Sequence, residues 1–359
     1  MKVSWRKHRL LFKFKAGTSR GVLKKKDSYF IIVQGNKGLT GIGECSLIEG
    51  LSIDDPHLIE RKLNEICHKI LETSVTCIED LDIFFNESSM ILWPAIRMGI
   101  ETAFLDLLKG GKRIIFNNEF LNGDTIPING LIWMGTKDFM LEQIRNKIKS
   151  GYTTIKIKIG TIDFETELGI LAYIRKEFDK NDITLRVDAN GAFSEAEVRD
   201  RLDKLSKFDL HSIEQPIRKG DWELMAKLCQ SSPIPIALDE ELIGSFTLEE
   251  KKLLMDSIKP QFLVLKPSLL GGFSSTQEWI KIAKKRNMGW WITSALESNI
   301  GLNAICQYTF DNHPLIEQGL GTGQLFTNNI ESPLAVAKGL IYYDQQKKWD
   351  LSFLNVDCI

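Results

Sequence analysis

The sequence has no long apolar run and no excess of charge of either sign. No apolar stretch approaches the roughly 20 residues of a membrane-spanning helix, and the N-terminal segment lacks the apolar core and small-residue cleavage site of a signal peptide. Its 46 Lys and Arg residues nearly balance 47 Asp and Glu residues, for a formal net charge of −1. We therefore expect a cytoplasmic protein that acts on small molecules, without a nucleic acid or membrane partner.

Two further absences exclude common cofactor sites. The six cysteines contain no CxxC pair, which argues against a zinc site or a disulfide framework. No GxGxxG motif follows the first strand of the repeated strand and helix units, as a dinucleotide-binding sheet would prefer. The oligomeric state is left open.

Residues 1–110 predict a small α+β domain. The apolar residues of 1–46 alternate as in an antiparallel meander of strands, and 55–110 changes to a helical period. The segment 331–359 breaks the pattern that precedes it, and its apolar run 341–343 could return to the meander. We therefore assign 331–359 to this capping domain.

Residues 125–330 repeat a unit of short apolar strand, polar turn and amphipathic helix. Such alternation is typical of parallel βαβ units, so the fold class is α/β. Eight such units could form an open doubly wound sheet or a closed barrel, and the missing GxGxxG motif favours the barrel, covered by the α+β domain. The predicted strands are 126–133, 153–159, 183–188, 210–214, 234–239, 261–266, 290–294 and 315–319.

Charged residues recur at the carboxyl ends of these strands. The intervals from 188 to 214, 214 to 239 and 239 to 266 are 26, 25 and 27 residues, each about one βα unit. A barrel would bring the charges round one mouth, where barrel active sites lie. The residues are Lys156, Lys158, Asp188, Glu214, Asp239 and Lys266.

Each charge also has an ordinary explanation, because IKIKI fits a half-exposed strand and the acids could belong to turns or helix caps. In a barrel strand, however, Lys156 and Lys158 share one side and must point into the mouth. Three carboxylates meeting there would repel one another unless a cation lay between them. Oxygen ligands without nearby His or Cys suit one Mg²⁺ ion, and we expect Mn²⁺ to substitute.

Lysine beside such a metal suggests proton transfer at carbon. Neighbouring cations push an amine towards its neutral form, so it could act as a base near pH 7. The proton would lie α to a carboxylate, since a metal and a second cation could stabilise the resulting enediolate.

Seven motifs in this order and spacing resemble the muconate-lactonizing branch of the enolase superfamily over essentially the whole chain. They are GIGECSLIEG, KIKIG, RVDANG, SIEQP, LDE, LKPSLLGG and ITSALESNIG. The resemblance implies a modified TIM barrel of the (β/α)7β type with an α+β capping domain. The same resemblance implies that Mg²⁺ is bound by Asp188, Glu214 and Asp239. It also implies that Lys156 and Lys158 face Lys266 across the site, with Lys158 as the base.

The family includes epimerases, cycloisomerases and dehydratases that form o-succinylbenzoate for menaquinone synthesis. Three features favour the dehydratases: Arg186, which shares the inward parity of Asp188; the segments 129–135 and 295–301; and the lack of an Asp-x-Asp motif near the last strand. Ser298 and neighbouring amides would bind a succinyl carboxylate. The implied lyase reaction is the syn-dehydration of 2-succinyl-6-hydroxy-2,4-cyclohexadiene-1-carboxylate, with Lys158 as base and then acid.

The remaining assignments concern the rim of the site. Asn190 and Glu240 would orient the metal ligands, with Asn190 against the substrate, although Asn190 could equally belong to an Asn-Gly turn. Two loops would close over the substrate, one from Gly17 to Arg20 and one at 44–51. Two alternatives stay open: a racemase or epimerase of N-acylamino acids or dipeptides, for which two lysines suffice, and a non-catalytic barrel.

Overall fold

A computed structural model describes residues 1–18, 21–35, 38–72, 75, 77–87 and 90–354. The strands in these ranges are β1 (Lys2–Thr18), β2 (Gly21–Gln34), β3 (Thr40–Ser46), β4 (Thr125–Pro127), β5 (Gly130–Ile132), β6 (Thr154–Lys158), β7 (Thr184–Asp188), β8 (Leu210–Glu214), β9 (Ile236–Leu238), β10 (Phe262–Leu265), β11 (Gly289–Ile292), β12 (Leu334–Ala337) and β13 (Leu340–Tyr343). The α-helices are α1 (Ile59–Glu72), α2 (Ile78–Glu87), α3 (Pro94–Leu108), α4 (Lys137–Lys149), α5 (Phe164–Glu177), α6 (Glu195–Leu205), α7 (Trp222–Ser231), α8 (Leu248–Ile258), α9 (Pro267–Leu270), α10 (Gly272–Lys285) and α11 (Asn299–Asp311).

The N-terminal strands form the predicted antiparallel meander, in the order β1-β2-β3. One face of this sheet is covered by α1, α2 and α3, and the apolar stripe of α3 packs there through Ile96, Ile100 and Phe104. The buried partners on β2 include Ile31 and Val33, which alternate along the strand with Phe30 and Ile32, buried on the opposite face. The sheet and its helices thus share one core.

The contact between β3 and α3 depends on glycine. A Cβ atom on Gly43 would overlap the backbone carbonyl oxygen of Gly99 on α3, so the strand approaches the helix more closely than any side chain allows. We expect Gly43→Ala to reduce the free energy of unfolding by roughly 3 kcal/mol or more, because backbone atoms must move apart. Urea denaturation would measure it.

The matched control for this substitution is Gly169→Ala, inside α5. A Cβ atom there would meet nothing nearer than Lys137 Nζ at 4.0 Å. Alanine should stabilise this helix by roughly 0.5–1 kcal/mol. Equal effects at the two positions would contradict the close packing of β3 on α3.

The predicted modified TIM barrel is confirmed. Parallel strands follow one another in the order β11-β10-β9-β8-β7-β6-β5. The eighth barrel strand, predicted at 315–319, is not a regular strand. Only two isolated β-bridges form there, Gly319 with Thr293 and Gln318 with Ile128, and they connect the two edges of the barrel sheet. The buried side chain of Gln318 supports this join, since its Oε1 accepts a hydrogen bond from the Ile292 amide at 2.7 Å.

The predicted strand 126–133 is wrong as one element, because only β5 joins the barrel. β4 pairs instead with β13, in an antiparallel sheet of order β12-β13-β4. The expected return of 341–343 to the N-terminal meander is therefore also wrong. The chain beyond β13 does reach that meander, where Trp349 and Phe353 pack beside Phe30. The division into domains at 1–110, 125–330 and 331–359 stays a prediction.

No helix in the described ranges is long and apolar enough to cross a membrane. The cysteines at described positions are free thiols: Cys45, Cys67, Cys77, Cys229 and Cys306.

A buried carboxylate joins α3 to the barrel. Glu101 accepts hydrogen bonds from the first amides of α10, Phe273 N at 2.7 Å and Ser274 N at 3.1 Å. Burial outweighs these bonds and raises the pKa of Glu101 from 4.5 to about 7. At a pH between these two pKa values the native state binds this proton more tightly than the unfolded chain does. The free energy of unfolding therefore falls as the pH rises from 4.5 to about 7.

We expect Glu101→Gln to remove this pH dependence. Relative to wild type, the variant's unfolding free energy should rise by up to roughly 3 kcal/mol between pH 5 and pH 8. Urea titrations at both pH values would measure the change. Glu223→Gln, with a side chain 81% exposed on α7, controls for the loss of one charge. A difference between Glu101→Gln and wild type that is constant with pH would contradict the prediction.

Candidate active site

The barrel places the predicted charges at one mouth. On β6 the side chains of Ile155 and Ile157 pack in the core, so those of Lys156 and Lys158 point inwards. Lys158 pairs in register with Asp188 at the end of β7, and Asp188 pairs with Glu214 at the end of β8. Asp239 and Lys266 directly follow β9 and β10. Because three strands separate β6 from β10, their lysines lie on opposite sides.

Lys156, Lys158, Asp188 and Lys266 line a cavity of about 780 Å³, a size that suits a small-molecule substrate. Its polar wall includes Lys156, Lys158, Asp188, Asn190, Lys266, Asn129, Ser294 and Thr322. Its apolar wall includes Ile48, Leu51, Leu131, Trp133, Trp291 and Leu296. The cavity therefore combines a charged floor with apolar surface for a ring.

The lysines and carboxylates form two groups of ion pairs at the barrel mouth. Lys156 Nζ lies 2.5 Å from Glu214 Oε2 and 2.9 Å from Asp188 Oδ2. Lys158 Nζ lies 3.1 Å from the same Asp188 oxygen. On the far side, the Lys266 ammonium donates to the Asp239 carboxylate. All three carboxylates are 1% exposed, so this pairing compensates the cost of burying their charges.

The cluster shifts its members in different directions. Burial and the negative charge of Asp188 raise the pKa of Glu214 well above its usual range. Burial also opposes the charge of Asp188, but the lysines outweigh it and hold the pKa of Asp188 below its usual range. Desolvation would lower the pKa of Lys156 and Lys266, yet the adjacent carboxylates raise both. The expectation of a neutral lysine beside a bound metal stays a prediction.

The carboxylates have the oxygen donors that a divalent metal needs, but their present spacing does not enclose an ion. Within the described residues, no three acidic, His or Cys side chains are close enough to enclose an ion, because lysine ammonium groups lie among the acids. The available donors are nevertheless carboxylate oxygens, which hard cations such as Mg²⁺ prefer. Among the described residues, the buried Oε1 of Glu214 has no hydrogen-bond partner and could bind an ion. The ligand assignment stays a prediction.

Asn190 and Glu240 lie beside the cluster. Asn190 Oδ1 accepts a hydrogen bond from Lys158 Nζ at 2.7 Å, and its Nδ2 donates to Glu240 Oε1 at 3.1 Å. Asn190 has a φ of 45°, which asparagine tolerates better than most residues. It thus belongs both to a turn and to the cavity wall, and its role in orienting the metal ligands stays a prediction.

Arg186 points into the barrel as its parity predicts, but it is two residues deeper than Asp188. Its Nη1 donates to the Glu317 carbonyl oxygen at 2.8 Å, and its guanidinium lies 4.5 Å from the ring centre of Trp291. Burial lowers the pKa of Arg186 to about 10. Among the described residues, Trp291 lines the cavity and Arg186 does not. Arg186 therefore packs behind Trp291 and stabilises this part of the cavity wall.

The predicted carboxylate site at Ser298 is occupied by the protein itself. The Ser298 amide and hydroxyl both donate to Glu44, at 2.8 and 2.5 Å. Ser298 is buried and is not among the described residues that line the cavity. Sequence reasoning missed this pair, although an acid inside the apolar strand GIGEC signals a buried partner.

The two predicted loops contribute unequally to the cavity. Gly17 bridges Met134 across strands, and Arg20 lies outside the described residues. The cavity instead uses 21–23 from β2 and 48–51 after β3. Glu44 itself belongs to β3 rather than to a loop. Closure of either segment over a substrate stays a prediction.

Comparisons with known proteins agree with this geometry. Residues 140–346 match the family described as Enolase C-terminal domain-like. The chain belongs to the enolase superfamily. The resemblance drawn from the sequence motifs is thereby confirmed.

The relatives of this enolase-superfamily chain differ widely in similarity. It is 47% identical to the o-succinylbenzoate synthase of Desulfotalea psychrophila (strain LSv54 / DSM 12343), over 95% of this chain and 98% of the relative. The crystal structure of MenC from Desulfotalea psychrophila LSv54 superposes with a TM-score of 0.85 at 44% identity, covering 95% and 99% of the two chains. A dipeptide epimerase from Cytophaga hutchinsonii, complexed with Mg and D-Ala-L-Val, has a TM-score of 0.83 but 18% identity, over 98% and 96%.

Proposed function

We propose that this chain is an o-succinylbenzoate synthase, a lyase of menaquinone biosynthesis. The observation that carries the proposal is the 47% identity to an o-succinylbenzoate synthase over 95% of the chain. The barrel supports it with opposed lysines above buried carboxylates in a cavity of about 780 Å³. The substrate we propose is 2-succinyl-6-hydroxy-2,4-cyclohexadiene-1-carboxylate.

The ligands that we propose for Mg²⁺ are Asp188, Glu214 and Asp239. Bound there, the ion would supply a Lewis acid that stabilises negative charge on the substrate carboxylate. We expect Mn²⁺ to replace it, because both ions prefer oxygen ligands. The support for this site is the oxygen donor set and the Glu214 oxygen without a hydrogen-bond partner among the described residues. A cytoplasmic location stays a prediction.

The lysines would carry the proton chemistry. Lys158 Nζ removes the proton α to the carboxylate, while the Lys266 ammonium on the other side stabilises the enediolate charge. Protonated Lys158 then gives its proton to the departing hydroxyl group on the same face, so the substrate loses one molecule of water. Asn190 would orient Lys158 through their 2.7 Å hydrogen bond.

Ultraviolet absorbance of the cyclohexadiene substrate tests the proposal directly. With purified protein and Mg²⁺ the diene band should disappear rapidly, and chelation of the metal should prevent this. Folded, metal-bound protein that leaves the band unchanged would refute the dehydratase function.

The opposed lysines also suit a racemase or epimerase of N-acylamino acids. Such an enzyme would exchange the substrate α-hydrogen with solvent from both enantiomers. Lys266→Ala would then abolish exchange for one enantiomer only, whereas loss of all activity would favour the role of a stabilising cation. Deuterium incorporation measured by mass spectrometry distinguishes the two outcomes.

A further inference from the structure

A buried polar cluster joins the N-terminal sheet to the barrel beside the cavity. Its centre is Glu44 on β3, which is 1% exposed. Side chains alternate along a strand, so Gly43 faces α3 while Glu44 points to the opposite side, towards the start of α11. Neighbouring Ile42 packs on the same side, against Ile300.

Glu44 completes the N-terminus of α11. Its Oε1 accepts from Ser28 Oγ at 2.7 Å and from the Ser298 amide at 2.8 Å. Its Oε2 accepts from Ser298 Oγ at 2.5 Å and from the Gly301 amide at 2.9 Å. Amides at a helix start lack partners within the helix and favour a negative charge. The carboxylate therefore fixes this helix start to the N-terminal sheet.

A second connection attaches the N-terminal sheet to the barrel at Ala295, three residues before Ser298. The buried Lys26 ammonium donates to Ser46 Oγ at 2.6 Å and to Ser28 Oγ at 3.1 Å. Ser46 Oγ in turn donates to the Ala295 carbonyl oxygen at 3.1 Å. The N-terminal sheet thus holds the barrel segment at both Ala295 and Ser298.

The segment between these attachments is part of the cavity wall. Ser294 and Leu296 both line the cavity. Leu296 has a φ of 62°, a left-handed conformation that is costly for a side chain of this size. Such a conformation persists only where surrounding contacts impose it. The attachments at Ala295 and Ser298 lie on either side of the strained residue.

We propose that Glu44 is a positioning residue for the dehydration, which holds the strained segment 294–298 in the shape that the substrate requires. Glu44 contacts Ser298 and Gly301 rather than the cavity, so it acts through the wall and takes no part in proton transfer. The N-terminus of α11 is accordingly an attachment point and not a subsite for the succinyl carboxylate. This inference rests on the proposed function and deepens it.

Glu44→Gln tests the role with little change in shape. The amide nitrogen of Gln cannot accept a hydrogen bond, so one side of the α11 start loses its acceptor. We expect KM for the diene substrate to rise about tenfold while kcat changes less than about threefold, since the wall shifts and the lysines do not. A purely structural role would lower the melting temperature without raising KM.

Glu101→Gln is the matched control. Glu101 also accepts two amide hydrogen bonds at a helix start across the same interface, but Phe273 and Ser274 are not among the described residues lining the cavity. Its kcat and KM should stay within about twofold of wild type. Equal increases of KM in both variants would overturn the specific role of Glu44.

Hydrogen exchange without substrate separates this inference from the proposed function. Amides in 294–301 should exchange faster in Glu44→Gln than in wild type or Glu101→Gln. If wild type fails to consume the diene but this exchange accelerates, the dehydratase function fails and the attachment stands. Unchanged exchange and KM in folded Glu44→Gln would overturn the attachment.

Ser298→Ala covers the case in which Glu44→Gln does not fold. It removes one hydroxyl, and with it the hydrogen bond from Ser298 Oγ to Glu44 Oε2, while the Ser298 and Gly301 amides still donate to Glu44. KM should rise about threefold and exchange across 294–298 should accelerate. Wild-type values for both in this variant would refute the positioning role.

Discussion

Lys158→Ala should reduce the rate of diene consumption at least about a thousandfold, because no other group replaces a positioned base. Lys158 lies at the end of β6, in the cavity wall, and is held by Asn190 and Asp188. Alanine leaves the strand intact, since the core contacts of β6 come from Ile155 and Ile157. The variant should therefore fold and still bind the product, o-succinylbenzoate. Ultraviolet assays and product-induced shifts in melting temperature would measure these two properties.

Lys176→Ala is the control for this variant, because Lys176 is exposed on α5, the helix that follows β6. It should retain wild-type activity. If Lys158→Ala kept more than about a tenth of the wild-type rate, Lys158 could not be the base for the dehydration.

The arrangement of the site could be predicted because it follows from strand parity and barrel topology. Alternation fixes the inward direction of Lys156 and Lys158, and parallel strands place Asp188 and Glu214 at the same edge. These constraints act locally or between successive units, so a single sequence contains them. The same reasoning gave Arg186 its correct direction.

Contacts between distant segments could not be predicted in this way. Ser298 is satisfied by Glu44, which is 254 residues away in the chain, and neither motif reveals the other. Strand boundaries failed for a related reason: the run 126–133 is mostly apolar, but its first part finds an antiparallel partner in β13 near the C-terminus. Pro127 has no amide hydrogen to donate, and its carbonyl accepts from the Gln318 amide on the barrel side.

The depth of Arg186 was misjudged because parity gives direction without distance. Residues at inward positions on one strand occupy successive layers of a barrel, and only the upper layer reaches the mouth. Lys156 and Arg186 share a layer in the strand register, as do Lys158 and Asp188. Lys156 still reaches the cavity, whereas Arg186 turns to Glu317 and Trp291.

Glu214→Gln should abolish the response of the protein to Mg²⁺. An ion at one hundred times its Kd that binds only the native state adds about 2.7 kcal/mol to the unfolding free energy. Wild type should show this gain, whereas the neutral amide should lose most of it and lower kcat/KM at least about a hundredfold. Melting temperatures with and without Mg²⁺ would measure the first effect without reference to catalysis.

Glu214 is the most informative of the proposed ligands because its surroundings disfavour its charge. Burial and Asp188 raise its pKa, and among the described residues its Oε1 has no hydrogen-bond partner. A divalent cation would favour the charged form of this carboxylate, so metal binding should release protons. The exposed control Glu223→Gln should keep the full Mg²⁺ response. An unchanged response in Glu214→Gln would remove Glu214 from the ligand set and leave Asp188 and Asp239 to be tested separately.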